Sequence, residues 1–344
     1  MNKTGTAIVG CGAIFDLHAR AVNAMEEAEL LLVVDTDPAK ARRAAQTYGC
    51  EAAEDFRVIL DREDIEVVHL CTPHHQHAPL ARELLAAGKH VLTEKPIAHT
   101  VEAAEDLREA AARSSAQLGV VFQNRYNESS RRIREYIDSG RLGRLECLKG
   151  VVTWTRSKEY YTESPWRGRR ETEGGGLLIN QTIHTLDLLQ WFAGEDVLRI
   201  SGSVTTDALG DVIEVEDSAH ACIDFAGGAR ALFYGTNAYL ANSPVELELI
   251  FEKGTLLQRR DRLYLLQDGE ETELCRPSQV ATGAKSYWGV THGLLIEDFH
   301  RHVREGRQFW LNAEAGIKAL RLIHGIYESS KAGAAVSAAG AARG

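Results

Sequence analysis

Thr6-Ala7-Ile8-Val9-Gly10-Cys11-Gly12-Ala13-Ile14-Phe15 is a short apolar run that leads straight into paired glycines, and a helical apolar pattern follows over residues 16–26. Strand, glycine turn and helix, in that order, open a dinucleotide-binding fold. Gly10 permits the tight turn, and Gly12 lets backbone N–H groups meet a pyrophosphate at a helix N-terminus. Phe15 stands where the fingerprint has its third glycine, which normally allows the helix close to the strand. Residues 30–34 then form an apolar strand ending at Asp35, about 20 residues beyond the turn, where an acidic side chain holds a ribose 2′-hydroxyl. Asp35 would repel a 2′-phosphate, and Thr36, Asp37 and Pro38 offer no cation, so NAD is expected ahead of NADP. Asp37-Pro38 itself reads as a cap followed by proline at the first helical position.

Outward from this stretch, helical and strand patterns alternate. Helices are expected near 39–48, 55–61, 77–87 and 101–113, with strands at 67–71, 90–93 and 119–122. That is a parallel α/β sheet. Thr72-Pro73-His74-His75-Gln76-His77 and Glu94-Lys95-Pro96 end two of these strands at the carboxyl edge, where such sheets bind ligands. No carboxylate or cysteine nearby completes a coordination set with the histidines, so no metal is expected, and His77 at a helix N-terminus suits a cofactor contact. Lys95, fixed just before a proline, is a functional candidate.

Gln123-Asn124-Arg125-Tyr126 closes the first domain, and a helix over 129–139 leads out. Strands then follow strands at 145–155, 197–206, 216–226, 229–239, 245–252, 255–258 and 262–267. Helices recur only at about 178–193, 293–305 and 313–331. The expected organisation is an α/β domain over 1–123 and an α+β domain with a large, mostly antiparallel sheet over 124–344. Residues 332–344, nearly all Ala, Gly, Ser and Val, read as a frayed tail.

A second glycine stretch, Gly174-Gly175-Gly176-Leu177-Leu178-Ile179-Asn180-Gln181-Thr182-Ile183-His184-Thr185-Leu186-Asp187, reads as a turn feeding a helix. Glycines there let the backbone approach a ligand closely. Asn180, His184 and Asp187, at i, i+4 and i+7, would share one polar stripe, and His184 has the side chain suited to proton transfer near neutrality. Just before it, residues 153–173 carry Trp154, Arg156, Tyr160, Tyr161, Trp166, Arg167, Arg169 and Arg170. Aromatic faces suit the C–H side of a pyranose and guanidinium forks suit a carboxylate or phosphate, while an oligomer contact would have the same composition. Tyr287, Trp288 and His292 make a second aromatic patch.

Composition narrows the function. A length of 344 residues suits two domains, and no apolar run approaches the roughly 20 residues of a membrane span. With 39 basic against 49 acidic residues, a formal charge of −10, a nucleic-acid or anionic-membrane partner is disfavoured. The six cysteines, at 11, 50, 71, 147, 222 and 275, have no short metal-ligand spacing and are expected to be reduced thiols. The opening residues show no export leader, so the cytoplasm is the expected location.

Together, Val9-Gly10-Cys11-Gly12-Ala13-Ile14, the Thr72-Pro73 turn with His77, Glu94-Lys95-Pro96, and the glycine triplet followed by Asn180, His184 and Asp187 resemble the Gfo/Idh/MocA oxidoreductases. The resemblance covers nearly the whole chain. It implies a Rossmann domain joined to an open-faced sheet domain, NAD(P) in the cleft, dimers or tetramers through the sheet face, and redox chemistry at a secondary alcohol of a sugar, polyol or sugar derivative. By it, Lys95 polarises or protonates the reacting oxygen, His184 is the acid–base group and Asn180 lies beside them. Position 180 is Asp in many dehydrogenases of the family, and a neutral amide cannot raise the basicity of His184 as a carboxylate would. The cofactor candidates are Gly10, Gly12, Ala13, Ile14, Asp35, Thr72, Pro73, His77, Glu94, Lys95 and Asn124. The substrate candidates are Lys95, Arg125, Trp154, Arg156, Trp166, Arg167, Asn180, His184, Asp187 and His292. The resemblance leaves two alternatives: a redox-neutral glycoside-cleaving enzyme with tightly bound NAD, and a non-catalytic dinucleotide sensor.

Overall fold

Six strands make a wholly parallel sheet: β1 (Thr4–Val9), β2 (Ala28–Val34), β3 (Glu51–Ala53), β4 (Val67–Leu70), β5 (His90–Thr93) and β6 (Leu118–Val120), in the order β3-β2-β1-β4-β5-β6. The order reverses between β1 and β4, which makes the carboxyl ends of these two strands the switch point where open α/β sheets receive ligands. Ile8, Val33, Val68, Leu70 and Leu92 are fully enclosed, as strands covered on both faces require. Around this sheet run α1 (Phe15–Ala24), α2 (Pro38–Tyr48), α3 (His74–Ala86) and α4 (Val101–Arg113). Asp37 caps α2 by accepting from the Ala39 and Lys40 N–H groups, and Gly49, at φ +73°, ends it. The computed structural model describes residues 3–260, 262–276 and 291–337; the aromatic pair Tyr287 and Trp288 lies outside them.

Three expectations here need correction. Residues 55–61 hold only a 3₁₀ turn, Phe56–Ile59, because the Asp55 carboxylate accepts from Arg57 N–H and short i→i+3 bonds close the segment. The helix expected from 77 begins at His74, one turn earlier, with Pro73 at its cap. The second domain, expected unbroken over 124–344, is interrupted: Thr291–Ile317 clusters with Met1–Gln123, and Asn124–Val290 with Lys318–Gly344. Helix α10 (His292–Arg304) therefore belongs to the first unit, where Phe299 is buried so close to β6 that a Cβ on Gly119 would lie 2.8 Å from its ring. An amphipathic pattern tells that a helix docks but not which core receives it.

The second unit opens with α5 (Glu128–Ser139) and is built on β7 (Leu145–Thr153), β8 (Val197–Thr205), β9 (Ser218–Phe225), β10 (Arg230–Thr236), β11 (Glu246–Phe251), β12 (Gly254–Arg259), β13 (Arg262–Gln267), β14 (Glu270–Cys275) and β15 (Val336–Ser337). Their order is β14-β13-β12-β11-β7-β10-β9-β8-β15, antiparallel except for the β7–β10 pair. Strand β14 was missed in the sequence, since its burial is half-hearted throughout. Between β7 and β8 lie α6 (Lys158–Thr162), α7 (Arg170–Glu173), α8 (Leu177–Asn180) and α9 (Ile183–Ala193), and α9 packs on β7 across Gly150, where a Cβ would lie 2.9 Å from Thr185. The opposite face of the sheet is open, with Leu198, Leu232, Tyr234 and Ile250 exposed around the Lys149–Glu248 ion pair. Nor is the chain frayed directly after α11 (Ala313–Ala332): Val336 and Ser337 pair with Ile200 and Arg199, and Ser329 donates to Ala334 O at 2.7 Å.

Because Phe299 fills the space over Gly119, Gly119→Ala should overpack the first unit and lower stability by about 1–3 kcal/mol. Adding Phe299→Leu should recover part of the loss in a thermal melt. An unchanged melting temperature in the single variant would contradict the placement of α10.

Candidate active site

At the head of the first unit, Gly10 has φ +96°, and a Cβ on it would lie 2.6 Å from Cys71 O, so the crossing of β1 past β4 itself demands glycine. Gly12 differs. A Cβ there would meet nothing of the chain within 4 Å, so its need for glycine fits a ligand laid against the start of α1, beside the exposed Ala13 and the half-buried Ile14. Asp35 is anchored at the end of β2, its two oxygens accepting from Cys11 N–H and Asp37 N–H, each at 2.8 Å. Phe15, in the third glycine's place, turns into the core with Ile8, Val22 and Val33 and meets Tyr48 edge-on, ring centroids 5.5 Å apart.

At the next strand ends, Thr72, Pro73 and Lys95 are half-buried. His77, expected to meet the cofactor, is fully buried, one ring nitrogen 2.7 Å from Pro96 O and the other 2.8 Å from Thr72 O. Burial pushes its pKa down and the two carbonyls push it up; a neutral ring donates to one of them, an imidazolium to both, and the ring stands between the loop after β4 and the loop after β5. Glu94 is buried as well. Its Oε1 lies 3.0 Å from His18 Nε2 and 3.7 Å from His292 Nε2, and Oε2 accepts from Lys95 N–H at 3.3 Å. Burial raises this carboxyl's pKa, but the His18 hydrogen bond and the charges of His18, His292 and Lys95 outweigh it and bring it to about 2. His292, expected at the substrate, is thus part of the buried setting of Glu94.

In the second unit the glycine triplet answers to the chain rather than to a ligand. Gly174 closes α7 at φ +86°, a Cβ on Gly175 would lie 2.1 Å from the Tyr327 hydroxyl, and one on Gly176 2.1 Å from Glu216 O. The buried Glu216 carboxylate then accepts from Gly176 N–H, Leu178 N–H and Tyr327 O–H, fixing the head of α8. The helix expected over 178–193 breaks at Gln181 and Thr182, where the Thr182 hydroxyl bonds back to Leu177 O and Leu178 O. The polar stripe is thereby dispersed. Asn180 donates to Glu173, Asp187 is buried and takes the fork of Arg125 at 2.9 and 2.7 Å, and His184 stands half-buried in the first turn of α9. Arg125 and Asp187, both expected at substrate, are partners of each other.

Glu173, Gln181 and Asn237 were not singled out in the sequence, yet they join a network from Asn237 through Gln181 to the Tyr160 hydroxyl, Asn180 and Glu173. The signal available was an acidic residue directly before three glycines. The aromatic segment stacks on itself: Arg156 lies over Trp154 and Tyr160, and Arg167 over Tyr160 and Trp166, at 4.3–5.5 Å from the ring centroids. The Trp154 indole N–H donates to Ser243 O at 3.0 Å.

Residues 4–122 match the family model described as the oxidoreductase family with NAD-binding Rossmann fold, and residues 130–257 match the Gfo/Idh/MocA C-terminal domain. The chain belongs to the Gfo/Idh/MocA family. It is 27% identical to a levoglucosan dehydrogenase of Pseudarthrobacter phenanthrenivorans, covering 89% of this chain and 90% of the relative. To an inositol 2-dehydrogenase of Rhizobium meliloti it is 26% identical, over 92% and 93%. Among solved structures, the WlbA dehydrogenase of Bordetella pertussis, in complex with NADH and UDP-GlcNAcA, superposes with a TM-score of 0.87 at 28% identity and 98% coverage of both chains.

This Gfo/Idh/MocA chain is therefore an NAD(P)-dependent oxidoreductase acting on a CH–OH group. Gly12, the start of α1 and the anchored Asp35 fit the dinucleotide, and Asn124 stands at the break between the two units.

Glu173 titrates where it can matter. Burial pushes its carboxyl from 4.5 up to about 7, against the donors Gly168 N–H and Asn180 and the charge of Arg167. With the folded value above the unfolded one, its contribution to stability is fully present below about pH 4.5 and is lost as pH rises through about 7, by up to about 3 kcal/mol. Glu173→Gln cannot ionise, so its stability relative to wild type should improve from pH 5 to about pH 7 and then level off in denaturant melts. A difference that does not change with pH would refute the assignment.

Proposed function

We propose that Lys95 and His184 serve the proton transfer that accompanies hydride exchange at a secondary alcohol of a sugar, polyol or sugar derivative. The observation that carries this reading is the place of Lys95 at the carboxyl edge of a sheet whose fold binds NAD, its backbone N–H bonded to the buried Glu94 carboxylate and its charge among those that lower that carboxyl's pKa. NAD supplies the hydride acceptor when bound, and NADH the donor. In the oxidative direction the alcohol must lose its hydroxyl proton, and in the reductive direction the carbonyl oxygen must gain one. His184, half-buried at the start of α9, takes or returns that proton, and Lys95 donates a hydrogen bond to the same oxygen. Asn180 is neutral, but its amide is bound to Glu173, which brings a carboxylate one hydrogen bond behind position 180. The charge of Asp35 repels a 2′-phosphate and favours NAD over NADP.

Carbohydrate fits the stacked segment. Trp154, Tyr160 and Trp166 offer ring faces, Arg156 and Arg167 offer guanidinium groups, and the curated relatives are named for levoglucosan and inositol. The six free thiols suit a reducing compartment, the cytoplasm. We further propose that the open sheet face, with Leu232, Tyr234 and Ile250 exposed, is covered by a second copy in a homodimer or homotetramer. A monomer in light scattering at micromolar concentration would contradict this.

Lys95→Met and His184→Ala should each lower turnover by roughly 10²- to 10⁴-fold with little change in NAD affinity. Because both serve one proton transfer, the double variant should be scarcely worse than the poorer single one. Near-normal turnover of both single variants, measured with levoglucosan or myo-inositol and NAD once wild type turns one over, would remove the assignment.

A further inference from the structure

Within the first unit, three buried histidines form a line from Glu94. His18 Nε2 lies 3.0 Å from Glu94 Oε1, His18 Nδ1 lies 3.1 Å from His69 Nδ1, and His69 Nε2 lies 3.0 Å from His300 Nε2. They come from α1, β4 and α10, and each ring is at most 2% exposed. No step above uses them.

A nitrogen-to-nitrogen hydrogen bond needs one N–H facing one bare nitrogen. Glu94 is ionised and only accepts, so His18 carries its proton on Nε2. A neutral His18 then has a bare Nδ1, His69 must donate from Nδ1, and His300 must donate from Nε2 to the bare Nε2 of His69. No other placement of protons on three neutral rings satisfies all three contacts. The last nitrogen, His300 Nδ1, is bare, buried and without a hydrogen-bond partner among the described residues.

We propose that this line is a proton relay that sets the net charge beside Lys95, an inference that rests on the acid–base reading of Lys95. A proton taken up at His300 Nδ1 lets the Nε2 proton of His300 pass to His69 Nε2. The Nδ1 proton of His69 then passes to His18 Nδ1. His300 and His69 end neutral with their protons on the opposite nitrogens, and His18 ends as an imidazolium still donating from Nε2 to Glu94. One proton enters at one end and one positive charge appears at the other. In the unloaded state Lys95 stands beside a net anion, which favours its ammonium form; in the loaded state it stands beside a neutral pair and gives up a proton more readily.

The surroundings give the relay its direction. His300 is faced by Arg304 on its own helix and His90 on β5, and burial together with these two neighbours pushes it down to about 3, so a proton does not rest there. His69 is also lowered, by burial first and then by its neighbours His18 and His300. Glu94 is faced by His18, His292, Lys95 and the Cys71 thiol, and His18 is the ring of the line that contacts this carboxylate.

Nitrogen-15 NMR of histidine-labelled, full-length protein with NAD bound tests this without a substrate. Near pH 8 the proton should sit on Nε2 of His18, Nδ1 of His69 and Nε2 of His300. On acidification His69 and His300 should reverse together as His18 becomes doubly protonated, and the Lys95 Cε resonance should move in the same step. In His69→Gln, whose amide bonds both neighbours but passes no proton through, the Lys95 step should be lost. Tautomers that stay fixed until the protein unfolds, or a Lys95 step that survives His69→Gln, would overturn the relay. If His69→Gln does not fold, the wild-type tautomer titration decides alone. Turnover of Lys95→Met bears on the catalytic reading only, so the two failures are told apart.

Discussion

A carboxylate taken out of water costs several kcal/mol unless hydrogen bonds and cations replace its hydration, and this constraint organises the candidate residues of both units. Glu94, Glu173, Asp187 and Glu216 are all buried, and each is compensated differently. Glu94 has imidazoles and a lysine, and is held ionised. Asp187 has the planar fork of Arg125, and Glu216 has two backbone N–H groups with the Tyr327 hydroxyl. Glu173 has N–H donors from Gly168 and Asn180 and the charge of Arg167, which leave its carboxyl near neutrality. The compensating groups fix backbone and side chains one residue or one turn away from Lys95, Asn180 and His184.

Much of this was legible because motifs and periodicity are local. The glycine turn at Gly10 to Gly12, the capped helix after Asp37 and the strand ending in Glu94-Lys95 follow from neighbours in the sequence. So do the successive strands of the second unit. What was not legible depends on distant partners. The glycines 175 and 176 were read as room for a ligand, but Tyr327 and Glu216, from elsewhere in the chain, require them. His77 was read as a cofactor contact and His292 as a substrate contact, because a sequence does not tell an exposed edge position from one roofed by another segment. The polar stripe of Asn180, His184 and Asp187 assumed an unbroken helix, which the Thr182 hydroxyl interrupts.

The line of histidines could not have been found in the sequence at all. His18, His69 and His300 are separated by 51 and 231 positions, and each looks like an ordinary core or surface residue in its own segment. Only the return of α10 to the first unit brings the third to the other two. Buried imidazoles in contact constrain each other's tautomers, so an acidic residue at one end imposes an order on all of them.

The central claim is that the partners of two buried carboxylates split their chemistry, keeping Glu94 charged beside Lys95 and leaving Glu173 to titrate behind Asn180. Carbon-13 NMR of protein labelled at the glutamate carboxyl carbon, with Glu94→Gln and Glu173→Gln to assign the two resonances, measures this directly. Glu94 should stay at its carboxylate position to the lowest pH at which the protein is folded, while Glu173 should titrate at about 7. Both resonances moving together near the ordinary glutamate value of about 4.3 would contradict the claim.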